Sequence, residues 1–137
     1  MYRSVYFDSW ASVWTSNAAA MDLALLLTKE PSVNIVNLAF ANPTGTYTKG
    51  SFTFANTGLQ FSQDFSVVQA AIKTLTSNHC KVVLSVGGAD YPYRSSAPYA
   101  NYLDMVHLAT DLGCCGIDID WYLFVINNDF ITFPTCS

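Results

Sequence analysis

Gly116 to Asn128 reads GIDIDWYLFVINN. The first six residues have the pattern of a buried strand that carries acids. Side chains alternate faces along a strand. Ile117, Ile119 and Trp121 point one way, toward covering helices, and Gly116, Asp118, Asp120 and Tyr122 point the other. Two carboxylates two residues apart on one face lie about 6–7 Å apart. Burying them is costly unless they are hydrogen-bonded or paired. Like charge pushes one pKa up, so the pair is expected to share a proton. A polar network or capping pair at a strand end is the bland reading. A buried Asp-x-Asp facing the interior of a barrel is hard to explain as packing.

Upstream of this strand the chain repeats one pattern. Residues 2–7 (YRSVYF) are β-rich, and Ser16 can cap a helix over 17–29 with Leu23, Leu26 and Leu27 on one face. VNIVNLAF at 33–40 predicts a second strand. The Gly, Thr, Asn and Pro-rich stretch 41–59 is a loop, in which the alternating SFTF at 51–54 suggests a small hairpin. Ser62 precedes a helix over 63–78, with Phe65, Val68, Ile72 and Leu75 at helical spacing. KVVLSV at 81–86 is a third strand. A helix over 98–112 stops at Gly113, and 114–121 is the fourth strand. Apolar strands alternating with helices imply parallel β/α units. Two layouts fit, an open doubly wound sheet or part of a (β/α)8 barrel. Both place chemistry at the carboxyl ends of the strands. Polar and glycine residues gather there: Asp8 and Ser9, Asn42, Ser85 to Gly88, and Asp118 to Tyr122.

Composition narrows the classes. The 137 residues suffice for one domain with a core. They are 51% hydrophobic and 12% charged, against about 25% charged in typical soluble domains, so the chain either has a very buried architecture or lacks a partner for some of its apolar surface. Net charge is -4 and the six basic residues are scattered, which argues against a nucleic-acid partner. No run approaches the ~18–20 apolar residues of a membrane span, so no membrane partner is expected. MYRSVYFDSW lacks the apolar stretch of a secretory signal. The expected location is cytoplasmic, or extracellular if an upstream exon is missing. Cys80, Cys114, Cys115 and Cys136 form no CxxC, and no His pair stands at ligand spacing, so neither a metal nor a cofactor is expected. Cys114 and Cys115 face opposite sides of a strand and read as small buried residues. A disulfide would require an oxidising compartment.

SVGG at 85–88 followed by GIDIDW at 116–121 resembles glycoside hydrolase family 18, the chitinase family, with its S-x-G-G and D-G-x-D-x-D-x-E motifs. VNIVNLAFA at 33–41 resembles the family's second strand and VYFDSWA at 5–11 its first. The resemblance spans about residues 2–122 in the right order. It implies the (β/α)8 TIM-barrel fold of the α/β class, with only the first four β/α units present, a half barrel. Residues 123–137 form a tail outside the family pattern. It also implies hydrolysis of β-1,4-linked N-acetylglucosamine by a retaining, substrate-assisted mechanism, in which the sugar's acetamido oxygen attacks the anomeric carbon. By resemblance, Asp120 orients the acetamido group and Asp118 holds Asp120 by sharing a proton. Tyr6, Trp10, Phe40, Ser85, Gly87, Gly88 and Trp121 fall at substrate-binding positions. Each has a plainer reading: Tyr6 and Phe40 as core aromatics, Trp10 as a cover on the barrel mouth. Tyr91, Tyr93 and Arg94 lie in the loop after the third strand, and His79 and His107 read as structural.

Two positions depart from the motif. Cys115 stands at its first Asp and Tyr122 at its catalytic Glu. A tyrosine with a pKa near 10 is a poor donor to a glycosidic oxygen, and acid catalysis is worth about 10²–10⁴-fold. The chain is therefore expected to be inert, or to be a lectin that binds chitin or another N-acetylglucosamine glycan. A whole barrel has eight strands in about 250 residues, so a half barrel leaves sheet edges open to self-association, including a homodimer of half barrels. The tail YLFVINNDFITFPTCS at 122–137 is rich in residues that AT-rich codons encode. Trp is TGG and Tyr begins TA, so the junction reads TGGTA, which contains a common intron start. The tail is thus expected to be intron read-through, with a genuinely divergent short protein as the competing explanation.

Overall fold

The computed structural model describes residues 1–16, 19–91 and 101–120, and the backbone of 130–132. Strand β1 (Ser4–Asp8) leads to helix α1 (Ala19–Lys29), then β2 (Ile35–Ala41), α2 (Phe65–Ser77), β3 (Lys81–Gly87), α3 (Tyr102–Leu112), β4 (Gly116–Asp120) and β5 (Phe130–Thr132). The strands lie side by side in chain order, β1-β2-β3-β4-β5. The first three pairings are parallel. A doubly wound sheet reverses its strand order at a switch point, and this sheet has none. The described chain therefore carries four parallel strands linked by three helices, as in part of a (β/α)8 barrel.

The alternation of the strands separates two faces. Val36 and Leu38, Val82, Leu84 and Val86, and Ile117 join Leu23, Leu26, Val68, Ile72, Leu75, Met105, Leu108 and Leu112 in one apolar core. That is the helix-covered outer face. Tyr6, Asn37, Ser85, Asp118 and Asp120 occupy the alternate positions. Gly113 closes α3 in the left-handed region at φ 83°, with its N–H on the Thr110 carbonyl at 3.0 Å. This is the helix stop that the sequence predicts.

Several expectations need correction. SFTF forms no hairpin. Phe52 has φ 50°, and the Phe52 and Phe54 rings pack on Phe65 with centroids 5.7 and 4.9 Å away. Burying rings against α2 outweighs pairing a four-residue segment. The second helix begins at Phe65, with Asp64 at its N-cap position and Ser62 left outside. Of the tail, the described residues 130–132 form a strand. β5 runs antiparallel to β4, pairing Gly116 with Thr132 and Asp118 with Phe130. A β-rich segment beside an unpaired edge satisfies its backbone groups by joining it. Among the described residues the edge strands of the sheet are then β1 and β5.

Cys114 sits in the helix-side core and Cys115 is buried outside it, so the two do face opposite ways. Cys115, however, is disulfide-bonded, while Cys80 and Cys114 are free. Burial pushes the Cys114 thiol up to about 12, which suits an inert core residue. Among the described residues no helix is long and apolar enough to cross a membrane, and no group of side chains could hold a metal ion.

Candidate functional site

The register of β3 on β4 sets Ser85 beside Asp118 and Gly87 beside Asp120. Asp118 is fully buried. Its Oδ2 accepts hydrogen bonds from Ser85 Oγ at 2.7 Å and from Tyr6 Oη at 3.1 Å. Its Oδ1 has no partner. Three strands thus contribute to one buried acid. A polar group buried in this way is costly unless its hydrogen bonds are made, so the unpartnered oxygen marks a place where a proton or a further donor belongs.

Protonation follows from the surroundings. Burial raises the Asp120 carboxyl above the usual range, and the Asp118 charge raises it further. Burial also raises the Tyr6 hydroxyl, aided by the negative charges of Asp118 and Asp120 and by its bond to Asp118. Tyr6 therefore stays protonated at neutral pH and acts as a donor.

The glycines shape the same spot. Gly87 has φ 121°, and a Cβ there would fall 2.1 Å from the Asp120 carbonyl oxygen. Gly88 has φ 84°, and a Cβ there would fall 2.8 Å from the Phe40 ring. Its N–H donates to the Asp120 carbonyl at 2.9 Å. Only glycine allows this close approach. Phe40 follows a cis peptide from Ala39. Its ring lies 5.8 Å from Tyr6 and 6.2 Å from Trp10, nearly parallel to the latter at 30°. Tyr6 is 46% exposed and Trp10 49%. The result is an exposed aromatic surface beside the acids, at the carboxyl ends of β1 and β2.

Of the residues singled out in the sequence, the fold brings Tyr6, Trp10, Phe40, Ser85, Gly87, Gly88, Asp118 and Asp120 together. Trp121, Tyr122, Tyr93 and Arg94 lie outside the described residues. His79 follows α2 and His107 lies within α3, both away from this end of the sheet. Two polar residues were not foreseen. Asn37 is 3% exposed, donates to Ser4 Oγ at 2.8 Å and leaves Oδ1 unpartnered. Its place between apolar neighbours in VNIVNL was the available signal. Asp22 is fully buried on α1, a carboxylate in the otherwise apolar run AAMDLALLL.

No protein-family model and no curated protein matches the chain. Solved structures do resemble it. One from Streptomyces coelicolor, assigned as a chitinase A, superposes with TM-score 0.58 at 22% identity, over 87% of this chain and 39% of its own. A glycoside hydrolase family 18 chitinase from Pseudoalteromonas aurantia gives TM-score 0.49 at 24% identity, over 86% of this chain and 40% of its own. The chain spans about two fifths of the length of these structures. Its fold is chitinase-like, part of a TIM barrel.

Proposed function

We propose that residues 2–122 are part of a glycoside hydrolase family 18 catalytic domain that keeps the sugar site and lacks the acid. The observation that supports this reading most is the Tyr6–Asp118–Ser85 network beside Asp120. In this reading Asp120 orients the acetamido group of a bound N-acetylglucosamine residue. Asp118 holds it through a shared proton, which its free Oδ1 can take. Tyr6, Phe40 and Trp10 offer ring faces to the sugar. Tyr122 replaces the glutamic acid that would protonate the leaving oxygen, so the chain does not hydrolyse chitin at a useful rate. Purified chain is expected to release no product from a chromogenic chitobioside. Turnover abolished by Asp120→Asn would overturn the inert reading.

A second reading is a lectin for chitin or another N-acetylglucosamine glycan. The half-exposed Trp10 and Tyr6 around Phe40 favour it, since such rings suit a pyranose face. Saturable binding to colloidal chitin by a monodisperse sample supports the lectin, and its absence leaves an inert chain. Self-association through the open sheet edges remains part of the proposal. It is tested by light scattering, which should give a discrete species near twice 15.0 kDa. Residues 123–137 are proposed as a tail outside the family, derived from an unspliced intron. Sequencing the transcript across the Trp121 and Tyr122 codons tests that origin. A spliced form continuing Trp-Glu into further strands supports it, and transcripts that all end at Ser137 refute it.

A further inference from the structure

We infer that Asp22 is the positioning residue that holds the β1–α1 loop, and through it Trp10, at the rim of the site. The inference rests on the proposed sugar-binding reading for its purpose, not for its test. Asp22 lies in the first turn of α1 and is fully buried. Its Oδ2 accepts the backbone N–H groups of Val13 and of Trp14, the latter at 3.0 Å. Neither donor belongs to the helix that carries the acid. The carboxylate reaches back across the loop and gathers its backbone.

The side chains of Val13 and Trp14 add little to this hold. Val13 is 69% exposed and Trp14 37%, so side-chain burial contributes little there. Ahead of the loop, Ser9 is fixed twice. Its N–H donates to the Ala39 carbonyl at 2.9 Å, and its Oγ accepts from the Gln60 N–H at 3.0 Å. A turn bond from the Ala11 N–H to the Asp8 carbonyl follows at 3.2 Å. Trp10 therefore stands between an anchor on β2 and an anchor on Asp22. With both ends fixed, an indole that is half exposed keeps its ring over Phe40. Charge-assisted bonds to backbone N–H groups are the strong kind. Burial works to raise the Asp22 carboxyl, but the bonds from Trp14, Thr15 and Val13 outweigh it and hold the acid ionised.

The test needs no sugar. Amide hydrogen exchange is measured at Val13 and Trp14, together with acrylamide quenching of Trp10 in a Trp14→Phe, Trp121→Phe background. Wild type should protect both amides. Asp22→Ala should speed their exchange about tenfold or more, as loss of a charge-assisted bond implies, while amides of β2 and β3 stay protected. Quenching of Trp10 should rise at the same time. Asp22→Asn keeps an acceptor oxygen and should restore most of both signals. Unprotected Val13 and Trp14 amides in wild type overturn the inference even if Asp22→Ala fails to fold. So does faster exchange with Trp10 quenching unchanged. Loss of glycan binding in every variant, wild type included, would instead count against the proposed function and leave these readouts decisive.

Discussion

Two buried aspartates in this chain, Asp22 and Asp118, have opposite surroundings. Asp22 is met by backbone N–H groups and its carboxyl is held below the ordinary value. Asp118 is met by two side-chain hydroxyls and has a second acid, Asp120, on the same face of the strand, while each aspartate keeps its Oδ1 without a partner. The strain of that pairing shows on Asp120, whose carboxyl is raised by burial and by the Asp118 charge. Backbone donors cannot be withdrawn, so the Asp22 arrangement acts as a staple. The Asp118 arrangement instead gathers side-chain hydroxyls from β1 and β3 onto an acid of β4. The same residue type thus holds loop backbone at one place and ties three strands together at the other.

The largest expected effect comes from breaking the acid site at its seam. Gly87→Ala adds a Cβ against the Asp120 carbonyl at a positive φ. It should lower stability by about 3 kcal/mol or more, from strain and overpacking together, as urea denaturation would show. Asp22→Ala comes next, at about 2 kcal/mol, because it strands two backbone donors. An unchanged midpoint would mean that the staple does not hold the loop. Asp120→Asn should have the opposite sign. The folded-state carboxyl is raised, so as pH rises the unfolded chain loses its proton first and stability falls. Removing the charge should therefore stabilise the chain at pH 7 by at most about 1 kcal/mol. The gain should fade as pH drops below the ordinary carboxylate range. Asp22 slopes the other way: its contribution is present above that range and lost in acid. The smallest effect is spectroscopic. Asp118→Asn should move the Asp120 carboxyl part of the way down, followed by NMR titration. Burial remains, so a full return to the ordinary value would mean that charge alone had raised it.

Much of this was legible in the sequence. The β/α alternation, the helix stop at Gly113 and the inward face of GIDID follow from periodicity and local chemistry, which act within a few residues. The meeting of Tyr6 with Asp118 was not foreseen, since those residues lie far apart in the chain. Strand register decides that contact. The role of Asp22 was not legible. A single acid in an apolar helix has no local sign that a loop eight residues upstream needs its donors satisfied. Phe52 and Phe54 misled for a related reason: alternation suggests pairing, but packing on Phe65 was available. The antiparallel β5 depends on which strand edge that segment meets in space, which composition does not encode.

The most direct test of the central claim is calorimetric titration of a soluble N-acetylglucosamine trimer into monodisperse chain, beside Trp10→Ala and Asp120→Asn. A chitinase-like site without its acid should bind saturably and release no product, and each substitution should weaken the binding. Heat no greater than dilution from a folded, monodisperse sample would contradict it.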